Sequence, residues 1–254
     1  MKAVFVGPTL ADLPHGRGSD GVEIRGPAGQ GDLTRAVLDG ATVIGLIDGI
    51  FEHTAAVWHK EILYALSEGV QVFGGASMGA LRAAECAPFG MIGVGEVFRR
   101  YADLDLVDDD AVGQVHGPAE LDYMPLSEPL VNIEATTGAL FENDTVTADE
   151  RDALDVAARR LFFKERTYER VLAETVLSAS RRAEIALAIG RFRRDVKRED
   201  ALLLVDRVRA APDKRVTPPG HWQFAETRIF RRLLQGLRES RTEASSQFRA
   251  VTPL

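Results

Sequence analysis

The sequence predicts an α/β fold, with a mostly parallel sheet flanked by helices in the N-terminal half and an all-helical C-terminal region. In the first half of the 254-residue chain, short apolar runs alternate with helical patterns, as they do when crossover helices join parallel strands. From about residue 130 onward, apolar residues recur every three or four positions, which is the periodicity of helices. A change in net charge near residue 150 supports the same division of the chain.

Apolar runs and helical patterns define the elements of the N-terminal half. Strands are expected at residues 2–6, 21–25, 42–47 and 70–73, and helices at residues 32–38 and 54–68. Asp32 is expected to cap the first of these helices, because its carboxylate can accept an unpaired N–H of the first turn. Glycine and proline clusters close the first two strands, as is typical of turns.

After residue 90 the alternation of strand-like and helical patterns is less regular, and from about residue 130 the pattern is helical. Residues 90–95 are rich in glycine and predict a loop, residues 96–101 predict a short helix, and the alternating residues 111–115 predict a strand that ends at His116. Further helices are expected at residues 149–173, 176–190, 195–210 and 225–239. The polar tail, residues 240–254, is expected to fray.

The two halves of the chain carry opposite net charge. Residues 1–149 hold 8 basic and 23 acidic side chains, whereas residues 150–254 hold 23 basic and 15 acidic ones. We therefore expect an α/β core domain at residues 1–148 and a helical region at residues 149–254, which either packs on the core or docks a partner. In residues 150–254, basic and acidic side chains alternate along the chain, as they do on solvated helices, so we expect no nucleic-acid binding.

Composition narrows the class of protein further. No apolar run approaches the roughly 20 residues that a membrane-spanning helix needs, and the first ten residues are strand-like, unlike a signal peptide. Cys86 is the single cysteine, so an internal disulfide or a multi-cysteine zinc site is excluded, and a cytoplasmic protein with no membrane partner is expected. The acidic run at residues 108–110 lacks the spacing of a calcium loop, so we expect no metal.

Residues 74–85 form the most informative motif. Gly75, Ser77 and Gly79 give a G-x-S-x-G elbow, which follows the predicted strand 70–73 and runs into good helix formers. The helix start offers unpaired N–H groups and partial positive charge to an oxyanion. Two interpretations remain: Ser77 is a reactive or ligand-contacting serine, or its hydroxyl only caps the helix.

Other candidate residues fall at the same edge of the predicted sheet. Asp48 follows the strand at residues 42–47, and residues 7–9 follow the first strand, so both are expected at the carboxyl edge where ligands of parallel sheets bind. His59 shares a helix face with apolar residues and is the favoured base, with His116 as the second candidate and Lys60 as a further one. Each of these side chains could instead be a core histidine or a solvated charge.

Several motifs in the first half resemble those of the TfuA-like proteins. The resemblance spans roughly residues 3–135 and is specific, because the motifs recur in order with similar spacing. They are residues 7–10 (GPTL), 48–51 (DGIF), 57–63 (VWHKEIL), 75–85 (GASMGALRAAE), 89–91 (FGM) with Gly93 and Gly95, and 109–116 (DDAVGQVH).

The resemblance implies a role in peptide-backbone thioamidation. TfuA-like proteins are partners of YcaO enzymes and are linked to hydrolysis of a thiocarboxylated, ubiquitin-like sulfur carrier protein, which releases sulfide for the YcaO enzyme. No cofactor is expected. In this interpretation Ser77 is the nucleophile or orients a water, with His59 or His116 as base and Asp48 orienting it. Lys60 or Arg82 would stabilise the substrate anion. The residues expected to contact substrate are Gly49, Gly75, Met78, Gly79, Arg82 and Glu85.

Two other functions stay open at the level of the sequence. One is a non-catalytic protein that docks and activates a YcaO enzyme through its helical region. The other is a serine hydrolase that acts on ordinary esters or peptides.

Overall fold

A computed structural model describes residues 1–18, 21–50 and 54–250, with side chains up to residue 242. Within these residues, one six-stranded sheet has the order β2-β3-β1-β4-β5-β6, and all neighbours are parallel except β2, which runs antiparallel to β3. The strands are β1 (Lys2–Phe5), β2 (Gly16–Arg17), β3 (Val22–Arg25), β4 (Val43–Leu46), β5 (Gln71–Gly75) and β6 (Ile92–Val94).

Helices follow the parallel strands and make up most of the second half of the described chain. The first four are α1 (Asp32–Leu38), α2 (His59–Ser67), α3 (Met78–Cys86) and α4 (Gly95–Ala102). The others are α5 (Leu130–Glu142), α6 (Ala148–Arg160), α7 (Tyr168–Ala173), α8 (Ala179–Phe192), α9 (Val196–Ala210) and α10 (Arg228–Ala250). This arrangement confirms the predicted α/β fold with a mostly parallel sheet and a helical C-terminal region.

The order of the strands determines where a crevice forms. β1 and β4 are neighbours, but the chain leaves β1 toward β3 on one side and leaves β4 toward β5 on the other side. In an open parallel sheet, such a reversal leaves a crevice at the carboxyl ends of the two strands concerned. The segment after β1 and the segment after β4 therefore meet at this crevice.

One face of the sheet is covered by α1, α2 and the first half of α10. Leu33 of α1, Ile62 of α2 and Phe230 of α10 are fully buried in one apolar cluster with Ile44 and Leu46 of β4. Burial of one side chain of this size stabilises the fold by about 1.5–3 kcal/mol, before the entropic cost of ordering the chain is subtracted.

The other face is covered by α9, which comes from the C-terminal region. Leu204 and Val208 of α9 are buried against β1 and β4. The approach is close at Gly45, where a Cβ would lie 2.8 Å from Leu204 Cδ2 and 3.0 Å from Val208 Cγ2. α9 is thus packed on the core of the sheet, while the predicted domain boundary at residue 148 stays a prediction.

Four helices of the C-terminal region begin at capping residues that the sequence supplies locally. Thr147 Oγ1 accepts the Glu150 N–H and Glu150 accepts the Thr147 N–H, which forms a capping box at α6. Thr167, Ser178 and Asp195 cap α7, α8 and α9 in the same way, each through its side-chain oxygen.

The predicted bounds of strands and helices agree best with the structure where the apolar runs are long. The four predicted strands in residues 2–73 and the helix at 32–38 are confirmed with small shifts of their ends, although Asp32 is the first residue of α1 and Gly31 takes the cap position. The helix predicted from residue 54 begins at His59. The short strand β2 was not predicted.

Four predictions after residue 90 are wrong. Residues 92–94 form β6 and not a loop. Residues 111–115 form no strand, because a 3-10 turn occupies Asp109–Ala111. The single helix predicted at 149–173 is broken between α6 and α7. The tail is helical to Ala250, whereas residues 251–254 lie outside the described residues, as does Phe51 of the predicted motif at 48–51.

Among the described residues, no helix combines the length and the apolar character that crossing a bilayer requires.

Candidate active site

A cavity of about 480 Å³ opens at the carboxyl edge of the sheet. It lies where the chain leaves β1, β4 and β5, and α9 and two later loops complete its wall. Its lining residues are Pro8, Asp48, Gly49, Ala56, Ser77, Met78, Leu81, Arg82, Asp109, residues 112–118, Phe163, Lys164 and Lys197. This volume lies in the usual range for small-ligand sites.

Ser77 occupies a tight turn between β5 and α3. Ala76 has φ = 66°, in the left-handed region, which costs an alanine about 1–2 kcal/mol. The next residue, Ser77, takes the N-cap position of α3 with φ = −128° and ψ = −131°. Its hydroxyl makes no hydrogen bond with any residue that the structure describes, and the residue is only 8% exposed. The serine is thus held on the cavity wall with a hydroxyl that does not cap its helix.

Gly79 lets α3 begin directly against β4. A Cβ at Gly79 would lie 1.8 Å from the Leu46 carbonyl oxygen, so only glycine fits. The Gly79 N–H donates to the Ile47 carbonyl at 3.0 Å, and this bond fixes the first turn of α3 against the end of β4. The elbow is therefore positioned by backbone contacts, which are less mobile than side-chain contacts.

Two residues of the cavity wall, Gly49 and Met78, have a backbone N–H that donates to no acceptor within the described part of the chain. An amide of the first helical turn also carries the partial positive charge of the helix start. Together they are suited to an oxyanion that develops on a bound acyl group.

Asp48 organises the loop that follows β1. Its Oδ2 accepts the N–H groups of Gly7 at 2.9 Å and Thr9 at 3.0 Å, and its Oδ1 accepts the Thr9 hydroxyl at 2.6 Å. The side chain is buried, so these bonds satisfy a carboxylate that would otherwise be costly there. Asp48 does line the cavity, as its place after β4 predicts, but its oxygens are held by the loop and not by a histidine.

His116 is the histidine that lines the cavity among the described residues. Its Nδ1 lies 2.7 Å from the Gly117 carbonyl oxygen, which can only accept, so Nδ1 carries the proton. In a neutral ring this leaves Nε2 as an acceptor. Tyr123 packs edge-on against the imidazole with the ring centres 5.6 Å apart, which fixes its orientation. His116 thus presents the features of a general base.

His59 and Lys60 do not line the cavity, so the predicted inward orientation of His59 is wrong. The His59 side chain is 50% exposed, and its Nε2 lies 2.7 Å from Glu85 Oε2. Lys60 Nζ donates to the Ala225 carbonyl at 2.7 Å and lies over the Phe224 ring. Both residues lie in the first turn of α2, before the apolar residues of this helix that pack on the sheet.

The predicted substrate-contacting residues divide into two groups. Gly49, Met78 and Arg82 line the cavity, whereas Gly75, Gly79 and Glu85 do not. Gly75 is buried inside the sheet, where a Cβ would lie 2.6 Å from the Val94 carbonyl oxygen. Arg82 is paired with Glu85 at 2.7 Å, so its charge is largely neutralised before any ligand binds.

Lys197 is a cavity residue that the sequence reasoning missed. It belongs to α9, is 2% exposed, and donates from Nζ to the Val112 carbonyl at 2.9 Å and to Gln114 Oε1 at 3.3 Å. Burial lowers its pKa below the ordinary lysine value, against the opposing effect of Asp48. One signal could have revealed it. Lys197 falls on the same helical face as the apolar residues 201, 204 and 208, at spacings of four, three and four.

The acidic run at residues 108–110 takes part in local structure. Asp110 pairs with the buried Arg166 at 3.2 Å, which also donates to the carbonyls of Ala158 and Leu161. Arg166 thereby anchors the segment that carries His116. Within the described residues, no three His, Cys, Asp or Glu side chains are grouped closely enough to hold a metal ion.

The sheet, the elbow and the cavity define a class of α/β protein that carries a serine at the start of a helix, on the wall of a cavity at the carboxyl edge of a parallel sheet. Residues 48–167 match the family model of TfuA-like proteins. The resemblance inferred from the sequence is thus confirmed over this segment, which contains Asp48, Ser77 and His116. No curated protein matches the chain.

Proposed function

We propose that the protein hydrolyses the thiocarboxylate of a ubiquitin-like sulfur carrier protein and supplies the released sulfide to a YcaO-type enzyme. The observation that carries this proposal is that Ser77 and His116 line one cavity with Gly49 and Met78, whose amides have no acceptor among the described residues. The match to the TfuA-like family supplies the substrate class and the partner. In this proposal the protein acts in the cytoplasm and its reaction needs no cofactor.

The reaction follows acyl-transfer chemistry. The Ser77 oxygen attacks the thiocarboxylate carbon, and the hydroxyl proton passes to His116 Nε2. The oxygen of the tetrahedral intermediate accepts hydrogen bonds from the Gly49 and Met78 amides. As the intermediate collapses and the carbon–sulfur bond breaks, His116 gives its proton to the sulfur, which leaves as hydrosulfide. A water then attacks the acyl-serine while His116 takes its proton, and this proton passes to the Ser77 oxygen as the acyl–serine bond breaks, which leaves a carrier that ends in a carboxylate.

The dimensions of the cavity favour the end of a chain as substrate. A volume of about 480 Å³ holds a few residues of an extended segment but no folded domain. A carrier whose reactive group lies at the tip of a flexible tail can therefore reach Ser77 while its folded part stays outside.

A second candidate function is docking and activation of a YcaO-type enzyme without catalysis. The observation that favours it is the exposure of apolar side chains in the helical region, namely Val176 between α7 and α8 and Leu187 on α8. Exposed apolar residues of this kind occur at protein–protein interfaces. The proposed catalytic role and such docking involve different surfaces and are measured separately.

The decisive experiment measures sulfide released from a purified thiocarboxylated carrier protein. We expect Ser77→Ala to lower the rate by at least about 10²-fold, because both the nucleophile and its acyl intermediate are lost. Ser67→Ala is the matched control, since that hydroxyl only donates to the Tyr64 carbonyl, and its rate should be unchanged.

Three outcomes contradict the proposal in different ways. A folded Ser77→Ala protein with a near-normal rate removes the serine from the chemistry. A wild-type protein that releases no sulfide but still stimulates a YcaO-type enzyme favours the docking function. Serine-dependent turnover of simple esters without sulfide release indicates a hydrolase of other acyl substrates.

A further inference from the structure

Among the residues that the structure describes, the cavity contains one buried basic side chain that has no carboxylate in contact with it. Lys197 donates to two neutral acceptors, the Val112 carbonyl and Gln114 Oε1, and forms no ion pair with any described residue. An ammonium has three N–H groups, so one remains for a ligand. Burying a charge in this way is costly unless an anion joins it.

The other two cations on the cavity wall are in different situations. Arg82 already forms an ion pair with Glu85. Lys164 is exposed to solvent, and its ammonium lies over the Phe162 and Phe163 rings. Charges screened by water or by a carboxylate attract a ligand anion weakly, whereas a desolvated ammonium attracts it strongly.

The nearest acidic groups do not neutralise Lys197 by contact. Asp48 uses both oxygens for the loop at Gly7 and Thr9. Its charge and those of Glu128 and Asp195 raise the pKa of Lys197, but burial lowers it more. An anion that entered the cavity would remove most of this burial penalty, since it would pair with the ammonium directly.

We propose that the Lys197 ammonium is the counter-charge for the acyl anion of the substrate and makes this site selective for thiocarboxylates over neutral thioesters. The proposal rests on the proposed function, because it assigns a specificity-determining residue to that reaction. It places the residue in α9, outside the segment that matches the TfuA-like family.

The chemistry explains why such a residue is needed. A thiocarboxylate spreads one negative charge over sulfur and oxygen, and electron donation from these atoms makes its carbon a poor electrophile for the Ser77 oxygen. A hydrogen bond from the ammonium to one of these atoms reduces this donation and so assists addition. The Ser77 proton still goes to His116 and sulfur still leaves as hydrosulfide, so Lys197 neither gains nor loses a proton.

The first test compares two synthetic peptides of one sequence, one ending in a thiocarboxylate and the other in the S-methyl thioester. We expect Lys197→Met to lower kcat/KM for the thiocarboxylate by about 10²-fold, which is typical for loss of one partner of a buried charge pair, and for the thioester by less than about 3-fold. Lys214→Met is the matched control and should change neither value by more than about 3-fold, because Lys214 is exposed and does not line the cavity. Equal losses on both peptides, or no loss on the thiocarboxylate, would overturn the proposal.

The second test measures charge recognition without turnover. In the Ser77→Ala protein, calorimetry compares a peptide ending in a carboxylate with the same peptide ending in a carboxamide. We expect tighter binding of the carboxylate, and we expect this preference to vanish in Lys197→Met. Gln114→Glu should also abolish it, because a carboxylate placed beside Nζ would neutralise the ammonium while the lysine stays in place.

The two tests separate the two proposals. A Lys197-dependent preference for the carboxylate without any sulfide release supports the anion site and contradicts the hydrolase function. Sulfide release with no preference, or with a preference that survives both variants, overturns the anion site and leaves the hydrolase function standing. Absence of measurable carboxylate binding overturns the anion site as well.

Discussion

Gly79 offers the sharpest test of how the elbow is built. A Cβ at this position would lie 1.8 Å from the Leu46 carbonyl oxygen and 2.6 Å from its carbon, and both atoms belong to the backbone of the last residue of β4. Ordinary contact needs about 3.4 Å, so in Gly79→Ala the start of α3 has to retreat by about 1.5 Å. That movement breaks the hydrogen bond from the Gly79 N–H to Ile47.

The cost of this retreat is the sum of two effects. Overpacking of a core typically costs about 1–3 kcal/mol, and an unmade buried backbone hydrogen bond costs about 1–3 kcal/mol more. We expect Gly79→Ala to lower the free energy of unfolding by about 3 kcal/mol, which for a chain of this size is a fall in Tm of about 6–12 °C. Sulfide release should fall as well, because the Met78 amide moves with the helix.

Thermal unfolding followed by circular dichroism measures the effect. Gly138→Ala is the control, since Gly138 lies inside α5 with no atom within 4 Å of its Cβ position. Alanine is the better helix former by about 0.5–1 kcal/mol, so Tm should rise slightly. A Gly79→Ala protein whose Tm lies within about 2 °C of the wild type would refute the close contact between α3 and β4.

Two further predictions concern the segment that carries the proposed base. His116→Gln should lower Ser77-dependent sulfide release by about 10²-fold, because glutamine has no basic nitrogen, whereas His59→Gln should stay within about 3-fold of wild type; the reverse result would assign the base to His59. Arg166→Met should lower the free energy of urea unfolding by about 3 kcal/mol, because it leaves buried carbonyls and Asp110 without a donor. The exposed Arg170→Met should change it by less than about 0.5 kcal/mol, and equal values for the two arginines would contradict the anchoring role.

The parts of the site that the sequence predicts are those that depend on local order. Asp48 and Ser77 each follow a strand, and the carboxyl ends of parallel strands necessarily meet at one edge of the sheet. The glycines around Ser77 indicate a tight turn, whatever the position of this segment in the fold. Short-range pattern therefore predicts that both residues lie at one edge of the sheet, where the cavity is found.

The parts that the sequence does not predict depend on long-range packing. Lys197 resembles any basic residue of a solvated helix until α9 is placed on the sheet, which buries it. His59 has the spacing of a core residue, yet it lies one turn beyond the packed stretch of α2. The glycines of β6 indicate a loop, but Gly93 is required because a Cβ there would lie 2.1 Å from the Phe98 ring.

The cavity wall crosses the boundary of the family match, and this has a consequence for how such proteins diversify. The matched segment ends at residue 167, while α9 begins at Val196 and supplies Lys197. The proposed nucleophile, Ser77, and the proposed counter-charge, Lys197, thus lie in separate stretches of the chain. On these proposals, a change in the later stretch alters which acyl groups bind while the turn at Ser77 stays the same, so relatives that share the matched segment need not share a substrate.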